Sequence, residues 1–194
     1  MKKLIYAAVA VCAVAFMISC DSVKNALEET TITTTLAASG TQIPPIPVPI
    51  NVTGPVASAR SGDDLYQFSG SIKLTKNGIL GEQIAAYSKI QGIVINAVTL
   101  TCTGDASDGS YVSDIVATAS GVKDFTYPGQ FYFMGTPATP TDLPPFLTGV
   151  IAQLLAGNDV TLAVSGKTNL PDTTGLFIEL TITDATLTVT PFKN

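Results

Sequence analysis

The chain contains no histidine and no tryptophan. Serine–histidine and cysteine–histidine nucleophile pairs, histidine metal sites and imidazole pH switches are therefore excluded, as are tryptophan platforms for sugar rings. Chemistry must come from hydroxyls, carboxylates, amines and thiols. Ser120-Gly121-Val122-Lys123 has the Ser-x-x-Lys spacing by which a lysine deprotonates a serine at a helix start. Gly121 and Val122 lead into a β pattern instead, and Lys167-Thr168-Asn169 lacks the glycine of the companion Lys-Thr-Gly motif, so the match is read as chance and no catalytic residue is assigned. Asp105, Asp108 and Asp114 surround a Gly109-Ser110 turn, where oxygens could gather around Ca²⁺. Their spacing is not that of an EF-hand, and aspartates in turns ordinarily bond their own backbone, so turn chemistry is the expectation and no metal or cofactor is assigned. Asp63-Asp64 and Glu28-Glu29 are adjacent pairs that point to opposite sides of an extended chain, which suits solvation rather than a shared substrate. Phe125, Tyr127, Phe131, Tyr132 and Phe133 cluster around Pro128-Gly129. The phenylalanines are expected in the core. Tyr127 and Tyr132 are candidates for a surface that meets a protein or glycan partner.

The cysteines give the chain an address. Lys2 and Lys3 precede an apolar run from Leu4 to Ile18, which is too short to span a membrane and the right length for the core of an export signal. The run ends in Met17-Ile18-Ser19-Cys20 and polarity switches at once to Asp21-Ser22. This resembles the lipobox of bacterial lipoproteins. The resemblance implies that residues 1–19 are a lipoprotein signal peptide, that Cys20 carries the lipid, and that residues 20–40 form the lipidated cysteine and a tether, with the membrane as a partner through the anchor. Asp21 and Glu28-Glu29 after the cysteine resemble a surface-export signal of Bacteroidota, although an aspartate after the cysteine also resembles an inner-membrane retention signal of enterobacteria; the reading leans to the outer membrane of the cell envelope. Asp21-Ser22-Val23 and Asp172-Thr173-Thr174 resemble the O-glycosylation pattern of the same group, which makes Ser22 and Thr173 candidate sites. With Cys12 in the leader and Cys20 lipidated, Cys102 is the single remaining thiol and an intramolecular disulfide is not expected. The net charge of −5 comes without a Lys/Arg cluster, so nucleic acid is not an expected partner.

The elements that would position these residues are strands. Hydrophobic residues make up 46% and charged residues 13%, enough apolar material for a core and the wrong balance for a disordered chain. Leu65–Leu74 alternates polar and apolar residues, Val98–Thr103 puts Val98, Leu100 and Cys102 on one face, and Tyr111–Ala119 follows an Asp/Ser/Gly turn. Lys123–Tyr127 and Gln130–Met134 read as two strands joined by a type II turn at Pro128-Gly129. Asp159–Gly166 and Leu176–Val189 complete the set, the last as two pieces around Leu180–Thr183 and Leu187–Val189. Ile43–Ile50 alternates proline with aliphatics and fits an edge strap. Two segments break the period. Gly81–Lys89 is a short helix candidate, and Asp142 to Gly157 is a stronger one, with Asp142 to cap, proline in the first turn, glycine at the end and one apolar stripe. The class expected is all-β: an immunoglobulin-like or jelly-roll-like β-sandwich of about eight strands with one or two short helices, occupying residues 41–194 as a single domain. In pattern, residues 60–190 resemble all-β envelope lipoproteins of Bacteroidota with no assigned activity, a resemblance that carries over no functional residue.

The function expected is that of a lipid-anchored, non-catalytic binding or structural module. The alternative is a carrier that holds a small apolar ligand between the sheets, gated by the 144–156 helix. The lipobox makes a direct prediction: Cys20→Ala abolishes incorporation of a palmitate analogue and releases the chain from membranes on fractionation. Labelling that survives the substitution would remove the anchor.

Overall fold

The computed structural model describes residues 32–37, 43–56, 64–79 and 89–190. The leader, Cys20, Ser22 and residues 81–88 of the first helix candidate lie outside them. Among the described residues the chain runs β1 (Ile32–Ala37), β2 (Ile46–Pro49), β3 (Asn51–Pro55), β4 (Tyr66–Leu74), β5 (Lys89–Thr103), β6 (Tyr111–Ala119), β7 (Phe125–Tyr132), α1 (Leu143–Leu155), β8 (Val160–Thr168) and β9 (Phe177–Thr190). The strands pair antiparallel in two sheets, which makes the protein an all-β sandwich. Alternating threonine and aliphatic residues explain why: β-branched side chains are stiff at χ1 and pack well on a pleated surface.

The first sheet is organised on β9. Along one side of it β5 pairs from Lys89↔Thr190 to Thr103↔Phe177; along the other, β1 pairs with its C-terminal half and β2 with its N-terminal half. The second sheet has the order β3-β4-β8-β6-β7. Their inner faces supply one core, in which Phe68, Ile115, Leu162, Ile178 and Leu187 are fully buried. The chain changes sheet at Ile50, whose N–H donates to the Leu176 carbonyl at 3.1 Å and whose own carbonyl accepts from Thr173 Oγ1 at 2.9 Å. This crossing runs hard against β4. A Cβ on Gly70 would overlap the Pro49 carbonyl oxygen, so only glycine fits there.

The proline strap behaves as its pattern suggests. Ile46, Val48 and Ile50 face the core while Pro47 stays outside, on an edge strand where a missing donor does no harm. Three expectations are corrected. β7 is one strand through Pro128-Gly129, which sit unpaired opposite Asp114 where the register against β6 shifts from Ser113↔Gln130 to Ile115↔Tyr127, so the donor that Pro128 lacks breaks no ladder bond; among the described residues β7 is the edge of its sheet. β9 is likewise one strand of 14 residues rather than two pieces. β1 falls in the span assigned to the tether, so the sandwich begins by Ile32, its threonine-rich run having found a partner in residues 184–189.

Helix α1 closes one side of the sandwich. Its stripe of Phe146, Leu147, Val150, Ile151 and Leu154 is buried; the Phe146 ring lies 6.2 Å from that of Phe125. Thr148 Oγ1 accepts the Ile95 N–H at 2.9 Å, and Leu100 exchanges backbone hydrogen bonds with Ala138 at 2.8 and 3.0 Å. The helix and its approach therefore cover the outer edge of β5. Asp142 occupies the N-cap without a side-chain bond, contrary to the capping role expected of it, and the helix stops at Ala156 before Gly157 at φ 86°. Leu154→Ala removes buried methylenes at this seam and is expected to destabilise the domain by about 2–5 kcal/mol, while exposed Ala152→Gln stays within about 0.5 kcal/mol; denaturant unfolding of the two variants checks the contrast.

Candidate functional site

The outer face of the second sheet is polar. β4 alternates exposed Gln67, Ser69, Ser71 and Lys73 with inward Phe68, Ile72 and Leu74, and β8 presents Ser165 and Lys167 beside it. The register sets Gln67 against Lys167 and Ser69 against Ser165. Two serines abreast leave a low point on the sheet, and the strands on either side each contribute one extra residue to its rim.

On β3, Val52 pairs with Phe68 and Gly54 with Gln67, so Thr53 has no partner residue. Its Oγ1 donates to the Gln67 carbonyl at 3.2 Å. On β6, Ser113 pairs with Lys167 and Val116 with Ser165, so Asp114 and Ile115 together face Gly166. Ile115 takes the core position, and Asp114 is turned outward with φ 51°, in the left-handed region. Both are β-bulges, which bend a strand and re-aim a side chain. Here the two bulges aim Thr53 and Asp114 into the same place. The result is a groove of about 360 Å³ lined by Thr53, Gln67, Ser69, Asp114, Ser165 and Lys167, with Phe68 and Gly166 beneath. Lys167 Nζ donates to Asp114 Oδ2 at 2.8 Å, and both side chains remain substantially exposed, so the pair contributes only about 0–1 kcal/mol to stability. Its chemical interest lies in what is left over: two lysine N–H groups and the second carboxylate oxygen, set among three hydroxyls and an amide.

The residues singled out from the sequence lie elsewhere. Tyr127 and Tyr132 do not form one surface. Tyr127 is half-buried with its ring 4.5 Å from that of Phe131, whereas Tyr132 is on the opposite face of β7, 51% exposed and 5.8 Å from the Tyr111 ring. Phe125, Phe131 and Phe133 are in the core, as expected. Thr173 is only 1% exposed and its hydroxyl is spent on the Ile50 carbonyl, which leaves a glycosyl group no approach to it in the folded domain. The neighbouring Asp172 does the turn chemistry: it accepts from the Thr174 hydroxyl and N–H at 2.7 and 2.9 Å, and these bonds hold its carboxyl below the usual range. Ser120 and Lys123 are exposed on the turn between β6 and β7. Asp105 and Asp108 lie in the loop before β6, apart from Asp114, and no cluster of three metal-ligating side chains occurs among the described residues.

The groove is not legible in the sequence because it depends on which residues sit abreast. One signal was present: the inward positions of β6 run Val112, then Ile115, Ala117 and Ala119, and that change of parity marks an inserted residue at 113–114. Compared with protein-family models, with curated proteins and with solved structures, the chain matches none.

Cys102 is buried on the inner face of β5, as its alternation indicates, and burial pushes its thiol up to about 12. The thiol is thus neutral in the folded protein at pH 8, whereas in the unfolded chain it ionises near its ordinary value. Stability supplied by this shift is complete below that ordinary value and is lost as pH rises towards 12. A thiol reagent at pH 8 is expected to react with Cys102 only after denaturant is added; rapid reaction with the native protein would contradict its burial.

Proposed function

We propose that the chain is a lipid-anchored, non-catalytic binding module of the bacterial cell envelope, and that the groove on the outer face of the second sheet is its contact surface. The observation that carries this reading is the convergence of Thr53 and Asp114, the extra residues of two separate bulges, on one polar concavity. Bulges are concentrated next to sites because they point side chains where regular pleating would not.

The anchor suits that surface. Eleven residues, 21–31, separate Cys20 from β1, a reach of at most about 40 Å. β1 enters the sandwich where Ile32 faces Val189. The other end of the first sheet, where Thr103 faces Phe177, is the end at which the chain crosses to β3 and β6, and the groove lies within a few residues of that crossing. A module tethered through β1 presents the groove away from the lipid. Carriage of an apolar ligand beneath the helix has less in its favour, since the stripe of α1 is packed against the core and the concavity is polar and external.

A photo-crosslinking amino acid tests the reading in cells expressing the full chain. Placed at Ser165 it is expected to give discrete adducts, while at Val94, which is 54% exposed on the opposite sheet, it gives none. No adduct at Ser165, or equal adducts at both positions, would set the groove aside as the working surface.

A further inference from the structure

We propose that this groove binds an uncharged saccharide, by holding two neighbouring hydroxyls of the sugar between Asp114 and Lys167. The inference rests on the reading of the groove as the contact surface and names the class of molecule it takes.

Charge narrows the field first. The two charged groups in the groove neutralise each other at 2.8 Å, so neither an anion nor a cation finds an uncompensated partner. Hydrogen-bonding capacity narrows it further. Lys167 can still donate, Asp114 can still accept, Gln67 can do both, and the hydroxyls of Ser69 and Ser165 are engaged by no side chain among the described residues. Alternating donors and acceptors at close range match groups that donate and accept at once, which is what a hydroxyl does. A vicinal diol meets the ion pair with one hydroxyl donating to the carboxylate and its neighbour accepting from the ammonium. A ligand finds no stacking platform here, because the aromatic residue of the lining, Phe68, is 1% exposed and offers no ring face. The volume, about 360 Å³, falls at the lower end of the range for small-molecule sites and admits a disaccharide. An open groove without a stacking platform binds weakly, with a Kd of about 1 mM.

The backbone at Asp114 provides the sharpest test. Its φ of 51° is a conformation that glycine adopts freely, so Asp114→Gly leaves the bulge and removes only the carboxylate. Saturation-transfer NMR on the full, detergent-solubilised protein, with maltose, cellobiose and lactose as probes and galacturonate as the charged comparison, reads the binding. The result expected is a saturable signal from at least one neutral disaccharide, weakened about tenfold or more in both Asp114→Gly and Lys167→Met. Lys73→Met, which breaks the exposed Lys73–Asp159 pair at 3.0 Å elsewhere on the same sheet, leaves it unchanged, and the thermal midpoint of Asp114→Gly is equal to or above that of the parent. Lys167→Met keeps the test decisive whatever the folding of the glycine variant. Absence of a saturable signal from every neutral disaccharide, binding that survives both groove substitutions, or stronger binding of galacturonate would overturn the proposal. Adducts from Ser165 without saccharide binding would remove the sugar and keep the groove; loss of both would remove both.

Discussion

Three strands drawn from residues 32–103 share one hydrogen-bonding partner, and the sandwich depends on it. β1, β2 and β5 all pair with β9, so none of the first sheet exists until residues 177–190 arrive. β9 meets that demand by burying Ile178, Leu180, Ile182, Ala185 and Leu187 on one face, with a step in the alternation at 183–184 where its register against β5 shifts. Closing loops of such length carries an entropic cost that only the finished core offsets. The step matters as well: an extra residue moves every later side chain to the other face, and the inserted position lets both halves of a long strand keep their aliphatics inside.

A sandwich built this way has open edges, and the chain blunts those of β2, β3, β5 and β7. β2 carries Pro47 and Pro49, β3 ends in Pro55 beyond its bulge, β7 carries Pro128, and β5 is covered by α1 and by the bridge at Ala138. Proline cannot donate to an incoming strand, and a covered edge has no groups to offer. At those strands the faces of the sheets offer more polar groups than the edges do. That is where the groove lies, on side chains rather than on strand backbone.

The same devices decide how much could be read in advance. The strands with clean alternation, the proline strap and the stripe of α1 were legible because each depends on its own residues: Val98, Leu100 and Cys102 point inward for a reason contained in six letters of sequence. Pro128-Gly129 is ambiguous in sequence because a turn and an irregularity in an edge strand accept the same dipeptide, and the register of β7 on β6 decides between them. β1 falls inside the 20–40 span because its threonine-rich run carries a β propensity but no partner nearby in sequence, and the pairing that makes it a strand comes from residues 184–189. The groove was illegible for the same reason to a greater degree. Ser69 and Ser165 are nearly a hundred residues apart and become neighbours only through the register of β4 on β8.

The bulge in β6 shows where stability stops accounting for the sequence. The core needs Ile115 inward, and an inserted residue ahead of it delivers that; the core does not need the inserted residue to be aspartate. A left-handed φ at a residue with a Cβ costs about 1 kcal/mol or more, while the half-exposed pair with Lys167 returns about 0–1 kcal/mol. Glycine would serve the backbone at least as well. The stability of the folded domain therefore gives no reason to prefer a carboxylate at position 114, and its preference must be sought in what the side chain meets. It meets Lys167 at the rim of the groove, on the side opposite Thr53.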